Sequence, residues 1–140
     1  MRDKIEFAGP EWHARLKALL ERYTTLADPG LRLSICEVFT AVPPHLDADG
    51  TGRIAWHCRI ADGTVAFHDG EIPTADLKTI ADYDFVLRLA RMKIEEATLA
   101  DYRALQAEGA ASGKLVSTGD PALVPAVFHG MHNDLAEITA

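Results

Sequence analysis

From Arg53 to Ile60 the chain alternates, with Ile54, Trp56, Cys58 and Ile60 on one face of an extended strand and Ala55, His57 and Arg59 on the other. Asp62-Gly63 supplies the turn chemistry of a two-residue hairpin. The return run Thr64 to His68 alternates again, Val65 and Phe67 against Ala66 and His68, and Asp69-Gly70 ends it. Upstream, Leu31 to Val42 is rich in branched and aromatic residues and reads as a strand. Leu33, Ile35 and Phe39 fall on one face of it, and Cys36, Val38 and Val42 on the other. Apolar residues on both faces predict a strand covered on both sides for part of its length. Leu31 to His68 therefore predicts an antiparallel meander, and its one-sided aromatics suggest a wall that shelters something apolar.

Helical spacing flanks the meander. Pro10 and Glu11 start a helix in which Trp12, Leu16, Leu19, Leu20 and Tyr23 recur on one side. Proline suits that first turn because its missing N–H would be unpaired there anyway. Asp28-Pro29-Gly30 stops the helix. After the polar loop at Pro43-Pro44 and the hairpin, Asp76 to Ile80 is a short fourth strand. Asp82 then caps a helix whose apolar stripe is Phe85, Val86, Leu89 and Met92. Ile94 to Glu108 continues as helix with Leu99, Tyr102 and Leu105 at compatible spacing, as one bent helix or two. Small residues from Gly109 to Gly113 lead to a fifth strand, Lys114 to Thr118, and a Gly119-Asp120 turn. Pro121 opens a last helix through Asn133, with Leu123, Val127 and Met131 on one face beside Val124 and Phe128. The order α-β-β-β-β-α-α-β-α is an α+β layout, with helices gathered on one sheet face.

A chain of 140 residues and 15.3 kDa makes one domain, residues 1–140, and buries enough surface to fold without a disulfide or metal staple. A net charge of −7 and a pI near 5.3 exclude non-specific nucleic-acid binding, which needs a basic footprint. No apolar run approaches the ~20 residues of a membrane span, and the charged start Met1-Arg2-Asp3-Lys4-Ile5-Glu6 has no signal-peptide core. A cytoplasmic location is expected. Cys36 and Cys58 each sit inside a strand and read as small buried hydrophobes. A disulfide needs their strands to pair, and nothing else indicates an oxidising compartment.

Candidate chemistry is sparse. His129 and His132 are three residues apart without the glutamate of a helical zinc motif. A metal or acid–base site from His57, His68 and Glu37 requires all three on one sheet face; the competing reading points both histidines outward from the hairpin. Ser34, Ser112 and Ser117 lack the strained turn of a nucleophile. Cys58 is flanked by His57 and Arg59, whose side chains alternate to the opposite face. Asp82 with Asp84, and Glu95 with Glu96, fall in first helical turns, where capping and the helix dipole account for them. No catalytic residue, metal or cofactor is expected.

The motifs in order add a further clue. Phe7-Ala8-Gly9-Pro10-Glu11-Trp12 precedes the first helix, Ala61-Asp62-Gly63 makes the hairpin, and Ala81-Asp82-Tyr83 opens the central helix. Gly113-Lys114-Leu115-Val116 then runs to Gly119-Asp120. Over nearly the whole chain this resembles the sterol carrier protein 2-like (SCP2-like) family, small stand-alone bacterial members especially. The resemblance implies a five-stranded, mostly antiparallel sheet covered by helices around an apolar tunnel. It also implies non-enzymatic binding or transfer of a sterol, fatty acyl chain or similar lipid. Compact members reach the last strand through a short segment, whereas Met92 to Gly113 here is longer and helical. Peroxisomal members end in a targeting tripeptide, which Glu137-Ile138-Thr139-Ala140 is not.

The expected lining is Ile35, Phe39, Ile54, Trp56, Phe67, Phe85, Leu89, Val124 and Phe128. Two other functions fit the same residues: an enzyme using His57, His68 or Glu37 as acid or base, and a homodimeric module joined through a strand edge or the long helical segment.

Overall fold

A computed structural model describes residues 4–140, so the first three residues of the charged N-terminal stretch, Met1 to Asp3, lie outside the described residues. Helix α1 (Pro10–Thr24) leads into β1 (Leu33–Thr40), β2 (Arg53–Ala61), β3 (Thr64–Asp69) and β4 (Leu77–Asp82). Helices α2 (Tyr83–Arg91) and α3 (Leu99–Ser112), strand β5 (Leu115–Thr118) and helix α4 (Phe128–Ile138) complete the chain. The five strands form one sheet in the order β3-β2-β1-β4-β5. Every neighbouring pair is antiparallel except β1 with β4.

The register decides what faces the helices. Ile35 pairs with Cys58 and Leu77, Glu37 with Trp56 and Thr79, and Phe39 with Ile54 and Ala81. Paired residues share a face, so these positions, with Phe67 opposite Cys58 and Ser117 opposite Thr79, make the inner surface. The main core cluster takes Leu33, Phe39, Trp56, Cys58, Ile60 and Ala81 from it. Cys36 lies between His57 and Lys78 on the opposite face, and Val38 between Ala55 and Ile80. Both are fully buried yet outside that cluster. Val42 does not continue their face: Ala41 adopts φ 52°, the alternation ends at Thr40, and Val42 joins the main cluster. Cys36 and Cys58 are both free.

Aromatic packing fastens the helices. Phe7 sits with ring centroids 5.0 Å from Trp12, 5.0 Å from Phe39 and 5.3 Å from Tyr83. The Tyr83 hydroxyl donates to the Phe7 carbonyl at 3.0 Å. Trp12 Nε1 donates to Thr139 Oγ1 at 3.3 Å, and Tyr23 on α1 donates to Asp134 on α4 at 2.6 Å. The two ends of the described chain meet, Ile5 N donating to the Ile138 carbonyl and Ala140 N to the Ile5 carbonyl.

Three helical expectations change: α3 runs on through the small residues Gly109 to Ser112, which were expected to connect it to the fifth strand, and two others change at their starts. The expected continuation from Ile94 is absent: Met92 to Thr98 is irregular and α3 begins at Leu99. The Thr98 hydroxyl binds the Lys93 carbonyl at 2.6 Å and accepts from Glu95 N at 3.0 Å, local bonds that compete with helix. Asn133 on α4 pins the segment, accepting from Ile94 N and donating to Ile94 O. The last helix does not start at Pro121, which opens only a single 3-10 turn, Pro121–Leu123. Pro125 has no N–H to continue a helical ladder, and α4 forms beyond it.

Candidate functional site

Helices and sheet do not fill the space between them. Two lobes of about 250 and 330 Å3 lie there side by side, both bordered by Leu16 of α1, Glu37, Thr79 and Ser117 of the sheet, and Met131 and His132 of α4. The smaller lobe extends under Val86, Leu89 and Ala90 of α2 and Tyr102 and Gln106 of α3. The larger extends along Ile35, Trp56 and Leu77 to Val124 and Phe128. Its rim carries the exposed residues Gly119, Pro121 and His129, so it opens beside β5 and the 3-10 turn. The lining is predominantly apolar, as ligand pockets are, and the size of the larger lobe falls within their usual range.

One carboxyl enters this space. Glu37 follows the parity of Leu33, Ile35 and Phe39, and therefore points inward from the central strand. Its side chain keeps some accessible surface because it borders the cavity, while protein atoms crowd around it. Burial pushes its carboxyl from the usual 4.5 up to about 7, because desolvation disfavours the charged form. No hydrogen bond or cation among the described residues offsets that cost.

Its surroundings are uncharged. Thr79 Oγ1 and Ser117 Oγ lie 3.3 Å apart. Burial, reinforced by Glu37, raises the Tyr102 hydroxyl to about 12. The His132 ring meets Tyr102 edge-on at 5.5 Å and its Nε2–H donates to the Met92 carbonyl at 2.7 Å. Burial lowers the His132 pKa against that hydrogen bond, which favours the neutral ring. The Cys58 thiol is pushed up to about 12, mainly by burial, which makes it an inert thiol rather than a nucleophile.

Five of the nine expected lining residues border the lobes: Ile35, Trp56, Val124 and Phe128 the larger, and Leu89 the smaller. The other four do not. Phe39 is packed into the cluster with Phe7 and Trp12. Ile54 borders a separate surface hollow with His13 and Leu46. Phe67 stacks on Trp56 at 5.5 Å, behind the larger lobe. Phe85 packs with Leu89 and Leu105 and closes on Gly109 of α3.

The trio of Glu37, His57 and His68 is not assembled. His57 pairs with His68 and Cys36, on the face opposite Glu37. The two imidazoles stand 5.4 Å apart, and His57 Nδ1 donates to the Gly70 carbonyl at 2.8 Å. A one-residue offset in a strand flips the side chain to the other face, and that offset separates these groups. Among the described residues no group of three metal-binding side chains comes together. Leu16, Thr79, Tyr102, Ser117, Met131 and His132 border the cavity without having been expected there. Strand parity with Leu77 and Leu115 announces Thr79 and Ser117; Tyr102 and His132 depend on how α3 and α4 dock, which local periodicity does not encode.

This sheet order, with helices roofing one face over a cavity, is the SCP2-like α+β fold. Two solved structures share it. A structure of sterol carrier protein 2 superposes with a TM-score of 0.52 at 14% identity, covering 95% of this chain and 96% of that one. A conserved hypothetical protein of Thermus thermophilus, a suggested sterol carrier protein, superposes with a TM-score of 0.51 at 16% identity, covering 99% and 94%. No family model matches the chain, and no curated protein matches it by sequence.

Proposed function

We propose that the chain binds, and passes on, a hydrophobic small molecule held between the sheet and its helices, without chemical turnover. The observation that carries this reading is the unfilled space above the central strands, bordered by Leu16, Ile35, Trp56, Met131 and Phe128. A ligand burying about 300 Å2 of apolar surface there gains about 7 kcal/mol at ~25 cal/mol per Å2. Association costs consume part of that gain, so fit and desolvation set the affinity. The sterol-carrier descriptions of the two structural neighbours support a lipid-like cargo, a sterol or acyl chain among them. A non-enzymatic role is supported by the separation of Glu37 from His57 and His68 on opposite sheet faces.

Both tryptophans border the cavity, Trp12 the smaller lobe and Trp56 the larger. A lipid brominated along its tail should therefore quench the intrinsic fluorescence saturably, and unlabelled lipid should restore it. Native mass spectrometry of gently extracted protein should show a co-purified lipid adduct. Unquenched tryptophans at saturating brominated lipid, with no adduct, would end this reading.

A further inference from the structure

We infer that Glu37 is the head-group anchor of this cavity, selecting an apolar ligand that ends in an uncharged hydrogen-bond donor, a hydroxyl or primary amide, over one that ends in a carboxylate. The inference rests on the cavity binding a hydrophobic ligand and adds the chemistry of that ligand's polar end.

Glu37 is the one carboxyl among the residues bordering either lobe, and it stands where the two lobes meet. Its inward neighbours along β1 are apolar, so packing alone gives no reason for an acid at this position. Buried polar groups are almost always partnered by protein or ordered water; no protein group offsets the desolvation of this one, which leaves the cavity's occupant to supply a partner. Elements packed against it bring no cation. α1 contributes Leu16 and Leu20, α2 contributes Val86, Leu89 and Ala90, and β4 and β5 contribute the Thr79 and Ser117 hydroxyls. The titratable groups facing it are Tyr102 of α3, His129 and His132 of α4, and the Cys58 thiol of β2.

Three kinds of polar end can be compared at such a site. A carboxylate meets a second acid and binds only if Glu37 holds a proton. An ammonium pairs with the ionised form, whose loss of water the fold already bears, and adds only the cost of stripping its own charge. A hydroxyl or amide donates to the ionised form and accepts from the protonated one, so it completes the site in either state. The apolar lining accommodates the rest of the molecule.

Decanol, decanoate and decylamine share a tail and isolate the polar end. Binding of each is measured by tryptophan fluorescence or calorimetry at pH 6 and pH 8. Decanol should bind equally at both. Decanoate should lose about tenfold from pH 6 to pH 8, because Glu37, with its pKa near 7, is mostly protonated at the first and mostly ionised at the second. Decylamine should gain affinity from pH 6 to pH 8, as Glu37 ionises. In Glu37→Gln, decanoate should no longer weaken between the two pH values. Should that variant fail to fold, the contrast between decanoate and decanol in the unaltered chain carries the test. A pH-independent decanoate affinity in the unaltered chain overturns the anchor and leaves the hydrophobic cavity standing. Binding of none of the three overturns both.

Discussion

Gly109 shows how one residue sets the distance between layers. A Cβ built there would lie 2.5 Å from Phe85 Cε1, 2.7 Å from Phe85 Cζ and 2.8 Å from Leu115 Cβ. Glycine in mid-helix costs roughly 0.5–1 kcal/mol relative to alanine, so its use is accounted for by this close approach of α3 to α2 and β5. Gly109→Ala trades that small helical gain against overpacking of about 1–3 kcal/mol. The variant should be destabilised by about 1 kcal/mol on balance, read as a lower urea midpoint at unchanged slope. A variant as stable as the parent would mean that α3 is free to move aside. Glu37 is the other telling residue. Its inward orientation is legible in the sequence, because it shares the parity of Leu33, Ile35 and Phe39; reading it together with His57 and His68 required a register that does not occur.

At the scale of elements, the turn from β4 into α2 is made by Asp82, which ends the strand and caps the helix. Its Oδ1 accepts from Phe85 N at 3.1 Å, while its own N–H donates to the Lys114 carbonyl at 2.9 Å. Asp82→Ala removes the side-chain cap but keeps the backbone bond, and should cost about 1 kcal/mol. Asp82→Asn, which retains the acceptor, should recover most of it in the same urea titration. Equal losses in the two variants would place the effect elsewhere than in the cap. The cap, the meander and the Asp62-Gly63 hairpin were all legible because each is written within a few consecutive residues. What was not legible lies where distant contacts decide. Helical spacing runs through Met92 to Thr98, yet Asn133 and the Thr98 hydroxyl hold that segment irregular. Pro125 is the local signal that should have delayed the last helix to Phe128. The cavity itself has no signature, since a filled core and an open one call for the same residues; only the docking of α1 and α4 above Ile35 and Trp56 leaves the space.

For the whole molecule, a buried acid without a protein partner makes the fold's stability depend on pH in an unusual direction. Glu37 titrates near 4.5 when unfolded and near 7 when folded, so between those values the folded state holds more protons than the unfolded one. Stability must then fall as pH rises through that window, by about 3 kcal/mol in all, and level off above it. His132, whose pKa is lowered on folding, pulls the opposite way, contributing stability that is lost as pH drops through the imidazole range. The two are separated by subtraction: the difference in unfolding free energy between Glu37→Gln and the parent isolates the carboxyl. That difference should grow from pH 5 to pH 8 in favour of the glutamine variant, whose amide carries no charge to desolvate. A saturating neutral ligand should stabilise the folded parent by the same amount at pH 5 and pH 8, since it binds either state of Glu37. A difference that stays constant with pH would show that Glu37 reaches water in the folded protein. An acid that weakens the fold while serving its cavity is the trade between stability and function expected of a binding site.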